Sequence, residues 1–129
     1  MSLKFLIVDD SQTMRRIVTN SLKNLGYEEF VEAADGKDAL IKLAADDTIN
    51  FVITDWNMPV LSGLELIKAI RSDEKMGNIP VLMVTTRGVK DDIIEALKAK
   101  VNNYVVKPFT PAILRDKIDQ IISNNVGAN

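Results

Sequence analysis

Short apolar runs alternate with stretches of helical spacing along the chain, and the cycle repeats five times. Phe5-Leu6-Ile7-Val8, Phe51-Val52-Ile53-Thr54, Val81-Leu82-Met83-Val84 and Tyr104-Val105-Val106 are β-branched and continuous, the pattern of buried strands. A weaker run from Glu29 to Ala33, around Phe30 and Val31, predicts one more strand. Met14, Ile17, Val18, Leu22 and Leu25 fall at helical spacing, and Gly26 follows as a C′ residue. Asp35-Gly36 is a turn before a second helix carrying Ala39, Leu40, Leu43 and Ala44. Leu64, Ile67 and Ile70 mark a third helix, which Gly77 and Pro80 are expected to terminate, and Ile93, Ile94 and Leu97 mark a fourth. Thr110 as N-cap and Pro111 at the first helical position open a fifth, with Ile113, Leu114, Ile118, Ile121 and Ile122 on its apolar face. The tail from Asn124 onward is expected to fray.

Five strand-then-helix cycles imply an α/β fold: a doubly wound, five-stranded parallel sheet with helices on both faces. The two common strand orders for such sheets, Rossmann and flavodoxin-like, both place strand one centrally.

A chain of 129 residues that is 47% hydrophobic is the size of one compact domain, and no linker or repeat divides it. The net charge of -2 provides no basic footprint for a polyanion, so no nucleic-acid partner is expected. The absence of Cys and His removes disulfides, thiolate nucleophiles, His bases, the common zinc sets and any phosphohistidine carried by this chain. No signal-peptide apolar region or membrane span is present, and a cytoplasmic location without membrane contact is expected.

Candidate chemistry stands where the strands end. Asp9-Asp10, Asp55, Thr85 and Lys107 each follow an apolar run, and in an open α/β sheet those ends share the ligand-binding crevice. Each residue also has an ordinary reading. Asp55 could cap helix three, although Ser62 is better placed for that; Asp9 and Asp10 could sit at a solvated helix N-terminus. Lys107 could be a surface residue, Thr85 a plain strand residue and Tyr104 plain core. Gathering the acids costs on the order of 1 to 4 kcal/mol per pair at about 4 Å, which one Lys does not offset. A divalent cation does, and Mg²⁺ is the ion that binds through one or two carboxylates plus phosphate oxygens.

Leu6-Ile7-Val8-Asp9-Asp10, then Asp55, Thr85 and Lys107-Pro108 in order, resemble the receiver domain of bacterial two-component response regulators over essentially the whole chain. Thr13-Met14-Arg15-Arg16-Ile17-Val18, Thr54-Asp55-Trp56-Asn57-Met58-Pro59 and Tyr104-Val105-Val106-Lys107-Pro108-Phe109-Thr110 are similar, more narrowly, to chemotaxis regulators of the CheY type. The resemblance implies a flavodoxin-like (βα)5 domain with strand order 2-1-3-4-5, spanning residues 1–129 with no output domain and acting as a monomer. It implies a phosphoacceptor switch rather than a turnover enzyme. Asp55 takes phosphate from a chemotaxis histidine kinase, and Lys107 and Thr85 contact the phosphoryl group. Mg²⁺ is held by Asp10 and Asp55 directly, by Asp9 largely through water, and by the Asn57 backbone carbonyl. On activation Thr85 moves toward the phosphate and the Tyr104 ring turns inward, and Tyr104, Ile93 and Lys117 belong to a helix four, strand five and helix five face that binds the flagellar motor switch. Asn57 and Arg87 bear on phosphoryl lifetime, and a phosphatase is a further partner. Arg87 stands where chemotaxis members often carry Glu, Ser62 where Asp is frequent, and Lys100-Val101 where many receivers have Gly-Ala.

Two other classes fit less well. A flavin or nucleotide carrier needs a hydroxyl- and glycine-rich loop after strand one, where this chain has Asp9-Asp10-Ser11-Gln12. A phosphatase with an aspartyl intermediate has, by resemblance, an Asp-x-Asp arrangement there, whereas these aspartates are adjacent. A receiver of the same chemistry in a pathway other than chemotaxis is the remaining alternative.

Overall fold

The computed structural model describes residues 2–127. Its elements follow in strict alternation: β1 (Lys4–Val8), α1 (Gln12–Asn24), β2 (Glu29–Ala33), α2 (Gly36–Ala45), β3 (Phe51–Thr54), α3 (Gly63–Ser72), β4 (Val81–Thr85), α4 (Lys90–Lys98), β5 (Asn103–Val106) and α5 (Pro111–Gly127). The five strands form one parallel sheet in the order β2-β1-β3-β4-β5, the flavodoxin-like arrangement. Every residue of β3 and β4 is buried, as continuous apolar strands covered on both faces require. Two cores flank the sheet. Leu6, Val52 and Met83 face one with Ala39, Ile67 and Ala96; Phe5, Ile53 and Val84 face the other with Leu22, Leu114 and Ile118.

Local chemistry sets the helix ends. Gly26, at φ 99°, closes α1: its N–H donates to the Lys23 carbonyl and that of Tyr27 to Leu22, the paired bonds of a left-handed C-terminal cap. Ser62 caps α3 in a reciprocal box with Glu65, and Thr110 accepts the Ile113 N–H at the start of α5.

Four expectations change. α3 stops at Ser72, well before Gly77, because the Asp73 carboxylate accepts the Lys75 and Met76 N–H groups and draws the chain into a turn. Thr85 is the last residue of β4 rather than a residue after it. Ile17 and Ile113, assigned to inward faces, are 44% and 45% exposed, since α1 and α5 seat only the Val18–Leu22 and Leu114–Ile118–Ile121 stripes. The helix of α5 continues past Asn124 to Gly127, and Ala128 and Asn129 lie outside the described residues.

Candidate functional site

The sheet ladder runs one residue beyond the strands at their C-terminal ends. Asp9 N–H donates to the Ala33 carbonyl, Asp55 N–H to Val8 and Lys107 N–H to Thr85. β1 pairs with β3 through Val8 and Thr54, so Asp9 and Asp55 are carried side by side off the two central strands. Asp10 follows at the mouth, and one carboxylate oxygen from each of Asp9, Asp10 and Asp55 lies within 4.8 Å of the others. Asp9 is buried, Asp55 half-buried and Asp10 exposed, a gradient from the sheet to solvent.

Lys107 is the counter-ion. Its ammonium donates to Asp9 Oδ2 at 3.0 Å and to Asp55 Oδ2 at 3.4 Å. The Lys107-Pro108 peptide bond is cis. The other oxygens are held by backbone: Asp9 Oδ1 accepts the Ser11 N–H at 2.9 Å and Asp55 Oδ1 the Trp56 N–H at 2.7 Å. Arg15 donates to the Asp9 carbonyl at 2.6 Å and pairs with Glu32, which fixes the turn after β1. Gly63 supports the Asp55 loop from behind. A Cβ built there would lie 1.9 Å from the Asp55 carbonyl oxygen, so only glycine lets α3 approach this closely.

Thr85 is fully buried, and its hydroxyl accepts the Arg87 N–H at 3.4 Å. The Arg87 guanidinium lies over the Trp56 ring, 4.6 Å from its centroid, while its Nε donates to Asn57 Oδ1 at 2.9 Å and one terminal nitrogen stands 3.5 Å from Asp92. Tyr104 is buried, and its hydroxyl donates to the Arg87 carbonyl at 2.6 Å. Burial first, and then the nearby charge of Asp92, push the Tyr104 phenol up to about 12. An open cleft of about 490 Å³ at this rim is bounded by Asp10, Trp56, Asn57, Met58 and Arg87. A groove of about 610 Å³ at the other end of the strands, beside Ile49 and Pro80, has its Asp46 carboxylate tied to Lys4 at 2.7 Å.

Of the residues singled out in the sequence, Asp9, Asp10, Asp55, Lys107 and Thr85 stand at this rim, with Asn57 and Arg87 along its edge. Tyr104 reaches it only through the Arg87 carbonyl. Ile93 and Lys117 are half-buried on α4 and α5, and among the described residues neither pairs with the acids. Sequence reasoning did not give Trp56 a role as the platform for Arg87, nor Asp92 as its partner. The spacing from Arg87 to Asp92 crosses a loop into a helix, where no simple periodicity pairs charges. An all-oxygen donor set of three carboxylates beside one ammonium suits a hard divalent cation such as Mg²⁺.

Comparison with known proteins agrees with this arrangement. The family model for the response regulator receiver domain matches residues 5–119. The chain is 51% identical over 123 residues to chemotaxis protein CheY1 of Helicobacter pylori (strain ATCC 700392 / 26695), covering 95% of this chain and 99% of that protein. It is 50% identical over 119 residues to chemotaxis protein CheY of Pseudomonas aeruginosa, covering 92% and 95%. The solved structure of Vibrio cholerae chemotaxis protein CheY4 superimposes with a TM-score of 0.85 at 35% identity, covering 94% of this chain and 99% of that one. With its fold, its acid cluster and its relatives in agreement, the chain belongs to the response regulator receiver domain family, among relatives that are chemotaxis proteins of the CheY type.

Proposed function

We propose that this protein is a phosphoacceptor switch that carries a signal from a chemotaxis histidine kinase to the flagellar motor switch. The observation that carries the reading is the meeting of Asp9, Asp10 and Asp55 with the Lys107 ammonium at one sheet edge. Asp9, Asp10, Asp55 and the backbone carbonyl of Asn57 would hold Mg²⁺, which when bound neutralises charge on the acids and on phosphoryl oxygens.

A carboxylate oxygen of Asp55 bonds to phosphorus as the P–N bond of the donor phosphohistidine breaks. The incoming charge draws the Lys107 ammonium from Asp55 toward the phosphoryl oxygens, and the Thr85 hydroxyl turns to donate to one of them. Charge-assisted hydrogen bonds are worth roughly 1.5 to 3 kcal/mol each, so these two supply about 3 to 6 kcal/mol. Moving a two-state equilibrium from about 1:99 to 99:1 takes about 5.5 kcal/mol, which is the same size. Thr85, its neighbour Arg87 and Tyr104 form the physical line from the acceptor to the α4, β5 and α5 face. That face carries the partner-binding residues Tyr104, Ile93 and Lys117, and the exposed Ile94, Leu97, Val106 and Ile113 lie on the same three elements. No described helix is long and apolar enough to cross a membrane.

Hydrolysis by water at the open cleft resets the switch, with Asn57 and Arg87 setting its lifetime and a phosphatase as a further partner. The test is addition of acetyl phosphate with Mg²⁺ while the emission of the lone tryptophan, Trp56, is followed. A reversible, Mg²⁺-dependent change that is lost in Asp55→Ala, with one phosphoryl group by mass, is the expected result; an unchanged spectrum and mass would overturn it. Capture of a flagellar switch component by the activated form alone separates chemotaxis from another two-component pathway.

A further inference from the structure

α4 begins without help from a capping side chain. Val89 occupies its N-cap position and makes no side-chain hydrogen bond, whereas Ser11, Asp35 and Ser62 cap α1, α2 and α3. What ties its first turn down is Asp92, 3.5 Å from Arg87. The same guanidinium is fixed on the acceptor side by the Trp56 ring and the Asn57 side chain. The backbone carbonyl of that residue accepts the Tyr104 hydroxyl. A buried phenol needs a hydrogen-bond partner, and this carbonyl is the one it has.

We infer that Arg87 is a positioning residue whose side chain clasps the first turn of α4 to the phosphoacceptor loop and so holds Tyr104 inward in the unmodified protein. The inference rests on the switch reading above and adds a regulatory property to it: the signalling face is partly set before any phosphoryl group arrives. A glutamate at this position could make neither the stacking contact on Trp56 nor the pair with Asp92. Side chain and carbonyl belong to one residue, so anchoring the guanidinium at three points limits where the carbonyl can move. The basal inward population is therefore high, and phosphorylation has a smaller change left to make.

The chain has two tyrosines, which makes a direct measurement possible. Fluorotyrosine is incorporated in the full chain and ¹⁹F resonances are recorded with no phosphodonor and no Mg²⁺. Tyr27, packed on Phe5 with ring centroids 4.9 Å apart, serves as an internal report of folding. In the wild type the Tyr104 resonance should be shielded from a soluble paramagnetic agent. Arg87→Ala should shift the inward-to-outward ratio about tenfold toward outward, the size expected for losing one cation–π contact and one half-exposed ion pair. Asp92→Ala should give a smaller shift, and Arg87→Lys an intermediate one, because it keeps the charge and loses the planar fork. A Tyr104 resonance in Arg87→Ala with wild-type shift and protection, beside an unchanged Tyr27, would overturn the inference. If Arg87→Ala perturbs Tyr27, the Asp92→Ala variant decides in its place. Every arm uses unmodified protein, so its outcome is independent of whether Asp55 accepts phosphate.

Discussion

Two residues hold backbone conformations that their side chains disfavour. Lys100, just past the end of α4, sits at φ 75°, and exposed Val60 sits at φ 69° inside a tight turn closed by the Leu61 N–H on the Pro59 carbonyl at 2.7 Å. The left-handed region costs a residue with a Cβ roughly 1 to 2 kcal/mol, offset in part by the greater freedom of glycine in the unfolded chain. Lys100→Gly and Val60→Gly should therefore each raise stability by about 0.5 to 1 kcal/mol, read as an upward shift in the urea midpoint at constant slope. The reverse holds at Gly63, where a methyl group would meet the Asp55 carbonyl at 1.9 Å; Gly63→Ala should cost about 2 kcal/mol or more in the same measurement. Tyr104 is expected to ionise at about 12, against an ordinary value of 10.0. Because burial raises its pKa, the stability it lends is intact below the ordinary value and is lost as pH rises through about 12. Absorbance of the phenolate in wild type minus Tyr104→Phe gives this curve directly.

Among the elements, α3 matters most to the site because it supports the loop that carries Asp55. Its capping box joins the Ser62 hydroxyl to the Glu65 N–H at 3.2 Å and the Glu65 carboxylate to the Ser62 N–H at 2.9 Å, and that second bond holds the Glu65 carboxyl below its usual value. Ser62→Ala should cost about 1 kcal/mol in urea unfolding, the ordinary loss of a helix cap, and leave the acid cluster in place. The role of Ser62 was legible in the sequence from its position before an apolar helical run. The early end of α3 was not, because Asp73 competes through a local side-chain bond that periodicity does not register. Arg71 makes that end useful: it donates to the carbonyls of Lys100, Gly77 and Ile79 and to Asn102, so the turn after α3 and the turn after α4 are held as one block.

At the scale of the whole molecule, charge is segregated by the ends of the sheet. Three carboxylates face one ammonium at the C-terminal ends of the strands, so like-charge repulsion opposes folding there. Mg²⁺ should raise the melting temperature, by an amount equivalent to about 2.7 kcal/mol at a hundredfold excess over its dissociation constant. Asp55→Asn should be more stable than wild type without Mg²⁺ and should gain less from it. Calorimetry with and without the ion checks both, and equal gains in the two proteins would remove Asp55 from the ion's site. At the other end, Lys4 and a hydrogen bond from Thr48 hold the Asp46 carboxyl down to about 2. The sign is that of a depressed acid: the stabilisation is present above the ordinary value of 3.8 and is lost as pH falls toward about 2. The melting-temperature gap between wild type and Asp46→Asn should therefore be open at neutral pH and close across that acid window.

The order of apolar runs and helical stripes determined the sheet, its helices and the strand ends on which Asp9, Asp10, Asp55, Thr85 and Lys107 stand, because these features follow from continuous apolar runs, from a helical period of 3.6 residues and from parallel crossovers. Which helix stripes seat inward escaped the pattern at Ile17 and Ile113, since neighbouring helices cover only part of each apolar face. Tertiary structure alone decided that Lys107 sits closer to Asp9 than to Asp55, and that Arg87 joins Trp56, Asn57 and Asp92 while its carbonyl receives Tyr104. These partners lie on separate loops and strands, and their distances depend on how the turns bring the chain back rather than on any spacing along it.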